Sequence, residues 1–288
     1  MFFHNLSGYD GHLLVQQMHE AGFKSVDLVA KTAERYINMH AKVGGSEWSL
    51  DFKDSLCFLL SPLDKLTKNL KAKAEMESKK QHASNTIDHY FKNTVNYFRS
   101  QFPHLDRSAL SLLLRKGVFP YNHIKGLETL DETRLPTRDQ FFNTLSNEHI
   151  SWEDYNHAKK VWKVFQCRTL KDYHDLYLTL DTALLADVME RFRSDSFEVY
   201  GLDPTHFVTA PGLSWNACLK MTGIKLQLLT DPDMNIFFTE AFYGGVSFAK
   251  NPHLKANNEL VLNAFSAALR KTWMLLLDCN NQVKLEQT

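Results

Sequence analysis

Tyr177-Leu-Thr-Leu-Asp181 opens the run Tyr177-LTLDTALLADVMERF-Arg193, and the fold is read outward from it. Leu184, Leu185, Val188, Met189 and Phe192 recur at helical spacing, so the run reads as an amphipathic helix. Tyr177 and Asp181 are four apart. If the helix has begun by Tyr177, both side chains stand on one face, one turn apart. A carboxylate there can hold a divalent ion, and the phenol can orient a water on it. A tyrosine packed at a helix start beside a solvated aspartate has the same pattern, and Y-x-x-x-D alone does not choose between the two.

At 288 residues the chain is long enough for one large domain or two modest ones with a sizeable core. Its 44% hydrophobic and 23% charged content is that of a soluble globular protein. Lys+Arg and Asp+Glu are both 33, so no global basic field draws nucleic acid, and such a partner needs a local groove. Cys57, Cys167, Cys218 and Cys279 stand far apart without C-x-x-C spacing, which argues against a zinc or redox motif. Isolated cysteines suit a reducing compartment: nucleus, cytoplasm or mitochondrion. No apolar run approaches the length of a membrane span, so no membrane partner is expected, and no signal peptide is seen.

At the N-terminus, Phe2-Phe3-His4-Asn5 reads as the tail of a buried strand. Asn5-Leu-Ser-Gly8-Tyr9-Asp10-Gly11 is a turn cluster, and His12 to Met18 starts a helical pattern. Asp10 stands near the helix N-terminus, where an anion is favoured and can face a site. In this order, Asn5-x-x-x-Tyr9-Asp10 and Tyr177-x-x-x-Asp181 resemble the second and third exonuclease motifs of family B DNA polymerases. The His4-Asn5 pair, the run Tyr173-HDLYLTLDTALLADVMERF-Arg193 and the run Tyr200-GLDPTHFVTAPGLS-Trp215 are similar to the protein-primed subgroup of plasmids and self-synthesising transposons. The resemblance runs along nearly the whole chain.

It implies an α/β fold: a ribonuclease H-like 3′–5′ exonuclease domain over residues 1–195, with a mixed sheet and flanking helices. It further implies a connecting region over 196–270 and the start of a polymerase palm over 271–288. Asp10 and Asp181 become metal ligands for Mg²⁺ or Mn²⁺, and Tyr177 the residue that orients the attacking water. His4, Asn5 and Tyr9 hold a single-stranded 3′ end. Ser55-Leu56-x-x-Leu59 matches a motif that contacts the single strand, although a core strand reads equally well here. Lys116-Gly-Val-Phe119 fits a K-x-x-apolar motif whose lysine supports the exonuclease site, and a surface lysine is the plain alternative. Ala241-Phe242-Tyr243-Gly244-Gly245 stands where the family has a template-gripping Y-x-G-G. Phe242, Gly244 and Gly245 would contact DNA, or the segment is a simple hairpin turn. Trp273-Met-Leu-Leu-Leu-Asp278 is similar to the start of polymerase motif A, whose Asp binds metal.

The partners implied are single-stranded and template DNA, a terminal priming protein, and dNTP in a full-length polymerase. The family's third and fourth carboxylates come from a D-x-E expected upstream of Met1, so the chain reads as an internal fragment. Losing one strong metal ligand costs ~10³-fold or more in rate. A DNA-holding module without catalysis is therefore the alternative function.

Elsewhere, residues 47 to 60 read as a strand after the Gly44-Gly45 turn, and Ser61-Pro62 starts a helix with Leu63, Leu66 and Leu70 inward. The lysines from Lys65 to Lys80 read as its solvated face. Two short helices are expected over 84 to 115 and a polar loop over 126 to 150. Ser151 should cap a helix bearing Tyr155, Ala158, Trp162 and Phe165, and a further apolar helical patch lies around Trp215.

Overall fold

A computed structural model describes residues 1–8, 10–32, 35–81, 86–241, 255–260 and 265–273. The chain divides into a unit over Met1–Lys225 and another over Leu226–Thr288. The first begins with strand β1 (Phe2–Phe3), a single 3₁₀ turn and helix α1 (Asp10–Met18). Asn5 takes φ 70° at the turn, a left-handed conformation that its short polar side chain tolerates. Strands β2 (Phe23–Thr32), β3 (Arg35–Val43) and β4 (Ser49–Asp54) complete a mixed sheet of order β1-β4-β3-β2. Only β1 and β4 run parallel, with Phe2 opposite Lys53 and Phe3 opposite Asp54. Leu6, Met18, Met39, Ala41 and Phe52 form the core between the sheet and α1.

Strands β2 and β3 are not apparent from sequence. In β2 most side chains face solvent, and shifts in register near Phe23 and Val29 break the alternation that marks a strand. By contrast, β4 lies within the expected stretch and ends in a 3₁₀ turn (Ser55–Cys57) whose Ser55 is buried.

A larger helical layer follows. Helix α2 (Leu63–Gln81) buries Leu63 and Leu70, packs Leu66 against the same core, and leaves most of its lysines solvated, as its stripe predicts. Three short helices, α3 (Thr86–Tyr90), α4 (Lys92–Gln101) and α5 (Arg107–Ser111), occupy the stretch expected to hold two. The loop over 126 to 150 contains two 3₁₀ turns, Leu127–Asp131 and Arg138–Phe141. Ser151 caps α6 (Trp152–Val164) by accepting from the Asp154 amide at 3.0 Å.

Helix α7 (Leu170–Tyr200) is the spine. It starts two turns before Tyr177, because Thr169 and Asp172 close a capping box, and it ends at Gly201 with φ 62°. Its 31 residues span ~46 Å. Leu170, Tyr173, Leu176, Leu180, Leu184 and Val188 face the core with Phe91, Phe98 and Leu113. Helix α8 (Ala210–Thr222) covers the expected apolar patch at Trp215 and ends the first unit's helices. In the second unit, α9 spans Pro232–Ala241, and Asn257 bridges Thr272.

Candidate nucleic-acid site around Asp181

Because the α7 cap sets the helix phase, Tyr177 and Asp181 share one face, Tyr177 buried and Asp181 half-buried. The segment from Lys116 to Tyr121 crosses that face. Lys116 Nζ stands 3.3 Å from Asp181 Oδ2. Gly117 lies against the Tyr177 ring so closely that a Cβ would meet a ring carbon at 3.0 Å. Phe119 stacks on Tyr177 with centroids 5.3 Å apart, and the Tyr121 and Tyr177 hydroxyls are 2.7 Å apart. Tyr173 donates to the Val118 carbonyl at 2.7 Å, which fastens the segment to α7.

Burial raises the Asp181 carboxyl above the usual range, and the Lys116 ammonium opposes the shift. Burial, then the charge of Asp181, pushes the Tyr177 phenol far up, so it is a neutral hydroxyl at any working pH. The nearby Tyr177 hydroxyl and Lys116 also act on the Asp181 carboxyl as hydrogen-bond donors, but its buried Oδ1 meets no well-aligned donor among the described residues. An orphaned carboxylate oxygen is costly unless something completes it.

The turn after β1 brings His4 to the same place. Burial lowers its pKa, and the charges of Lys116 and Asp181 both act on its ring. Ser55 is fully buried, and its one hydroxyl proton goes to the Phe3 carbonyl at 2.7 Å. The Ser55 oxygen is 2.9 Å from His4 Nδ1, which fastens the ring to that turn. Ser55 thus touches His4 rather than solvent, and Leu56 beside it is half-buried. Asn5 is exposed, with its amide held by Asp54 at 2.9 Å, and Asp10 opens α1 half-buried. Tyr9, Phe242, Gly244, Gly245 and Asp278 lie outside the described residues.

The orphaned Asp181 oxygen suits one bond to a divalent ion. Among the described residues, however, no group of three or more His, Cys, Asp or Glu side chains could hold a metal. The residues described therefore do not complete a two-ion site.

Three contributors were not read from sequence. Asp54, 1% exposed, accepts from the Asn5, Ser7 and Leu56 amides and the Ser7 hydroxyl at 2.9 to 3.2 Å, so it holds the turn that carries His4. Its signal was its place directly before Ser55-Leu56. Tyr121 ends the same short segment as Lys116. The third is the stretch from Phe141 to Ser151, which faces Lys116 and Tyr177 across a cleft of about 460 Å³. No helix among the described residues is long and apolar enough to cross a membrane.

The family model described as DNA polymerase type B, organellar and viral, matches residues 1–261. No curated protein and no solved structure matches the chain. Members of such a family work on a DNA template with divalent ions. With nine-tenths of its length inside one family model, the chain belongs to the type B DNA polymerases of the organellar and viral family.

Proposed function

We propose that the first unit contains the 3′–5′ exonuclease-type domain of a protein-primed DNA polymerase, of ribonuclease H-like architecture, and that this domain grips a single-stranded 3′ end. In this reading residues 1–195 form that domain, 196–270 lead toward a palm that begins over 271–288, and a terminal protein primes the polymerase. The observation that carries it is the Lys116–Asp181 pair, with its orphaned buried oxygen, under the Tyr177 hydroxyl and beside an open cleft. Lys116 offers a local cation at the cleft, and it draws a phosphate toward Asp181. Tyr177 supplies a hydroxyl that stays protonated and can donate to a phosphate oxygen or orient water. His4, aimed by Ser55, and the exposed Asn5 extend the grip along the strand. Asp10 and Asp181 are the acids assigned to metal.

A second reading is a domain that holds the strand without cutting it. The Lys116 ammonium 3.3 Å from Asp181, occupying a place that a metal ion would need, favours it. Digestion of a 5′-labelled single-stranded oligonucleotide with Mg²⁺ or Mn²⁺ separates the two. Stepwise shortening that vanishes in Asp181→Ala identifies hydrolysis by this chain. Binding without shortening identifies the holding role. Absence of any single-strand binding refutes both.

A further inference from the structure

We infer that the segment from Phe141 to Ser151 is the far wall of the strand cleft and seats the base of the 3′-terminal nucleotide. The inference rests on the reading of the Asp181 site as a 3′-end grip. Lys116, Tyr121 and Tyr177 line the cleft from the segment and helix around Asp181, and Asn143, Ser146, Glu148 and His149 line it from the Phe141–Ser151 stretch. Its volume of about 460 Å³ lies within the ~300–1,000 Å³ of small-molecule sites, room for one nucleotide unit rather than a duplex.

The far wall is built to keep its shape. Asn143 and Glu148 pair their backbones at 2.9 and 3.3 Å, and Asn147 takes φ 55° at the tip between them. Asn122, one residue past Tyr121, donates to the Thr144 hydroxyl at 2.8 Å and accepts from its amide at 3.2 Å. That pair ties the two walls together. Arg138 Nε holds the Ile150 carbonyl at 2.9 Å, and the following Ser151 is locked as the cap of α6. A preset wall loses little conformational freedom when a ligand enters.

Charge sets the ligand's orientation. The near wall carries the Lys116 ammonium, paired with Asp181 at 3.3 Å, and the far wall carries the Glu148 carboxylate, the other carboxylate of the lining, Asp154, being paired with Arg115. A phosphodiester is drawn to the first and repelled by the second. The uncharged base is therefore the part left for the far wall. There the His149 ring, braced on Phe142 with centroids 4.8 Å apart, offers a stacking face, and the Asn143 and Ser146 side chains offer polar groups to a base edge.

The test uses a single-stranded oligonucleotide carrying 2-aminopurine at its 3′ terminus, titrated with the full chain in EDTA so that no cleavage intervenes. Seating quenches the terminal probe, whereas a probe several nucleotides inward reports general binding. His149→Ala and Ser146→Glu lie on exposed positions of the wall and should melt like the parent. Both are expected to abolish the terminal quench, and His149→Ala to weaken binding about 5- to 150-fold, the loss of one base–aromatic stack. If both variants bind and quench like the parent while Lys116→Ala loses affinity, the far wall is not the seat and the grip around Asp181 stands. If Lys116→Ala also binds like the parent, the functional reading of the site fails with it.

Discussion

Replacing Asp54 by alanine should loosen the turn that presents His4, and the structure sets the size of the effect. The substitution removes one acceptor from three backbone amides and the Ser7 hydroxyl. Hydrogen bonds to an ionised group contribute ~1.5–3 kcal/mol each. The turn is only partly buried, so water replaces some of them, and relief of a buried carboxylate offsets more. The balance is a loss of about 3–4 kcal/mol, built from two amides left poorly paired. For a unit of this size that lowers Tm by about 6–16 °C. Asp54→Asn keeps Oδ1 for Asn5 and Leu56 but turns an amide N–H₂ toward the Ser7 donors, so its loss should be roughly half as large. Thermal and urea melts of the parent and both variants at neutral pH, followed by circular dichroism, measure this. Strand binding reports whether His4 moves with the turn. An alanine variant that melts within about 2 °C of the parent would refute the account, since it would show that water serves those amides equally well.

Two further outcomes follow from single contacts. Gly117→Ala places a methyl 3.0 Å from the Tyr177 ring, which Phe119 and Tyr121 hold from other sides, so stability should fall by ~1–3 kcal/mol in urea melts. An unchanged midpoint would mean the ring yields freely. Burial, helped by the charges of Arg115, Lys160 and Lys71, lowers His157 from 6.5 to about 4. The unfolded chain therefore takes up a proton at a pH where the folded chain does not, so His157 contributes stability above about 6.5 that is lost as pH falls through about 4. Tm measured across that window should decline less steeply in His157→Gln.

Much of the site was legible because helices announce themselves by spacing. The α7 stripe, the Ser151 cap and the α2 leucines all depend on neighbours within two turns, and Tyr177 with Asp181 inherits its geometry from α7. The ion pair of Asp181 with Lys116 was within reach only through the resemblance, since 65 positions separate the two residues. Asp54 was hidden for another reason. An aspartate ending an alternating strand looks like a boundary, and nothing local shows that its four donors lie mostly some fifty residues away. Asp187 is a similar case. It reads as a polar residue on a helix, yet it is buried and caps α4 through the Asn93 and Thr94 amides at 2.7 and 3.0 Å, because Phe91 at that helix start cannot. Strand β2 escaped because its irregular pairing erases period two. The polar composition of residues 126 to 150 concealed a wall, because its order comes from Asn122 and Arg138 and from the few apolar anchors, Leu135, Phe141 and Ile150, that reach the core.

Lys53 and Asp54 close strand β4, and both are buried. Adjacent residues of a strand point to opposite faces. Asp54 meets the amides around Asn5, while Lys53 donates to the Thr205 and Phe207 carbonyls at 2.5 and 3.2 Å, beyond the end of α7. A slip of β4 by one place would set a cation against amide protons and an anion against carbonyl oxygens, two repulsions at once. Such a slip would also turn Phe52 out of the core, so packing and these paired opposite charges select the same register. The edge that bears His4 is thus aligned by electrostatic proofreading of its own register.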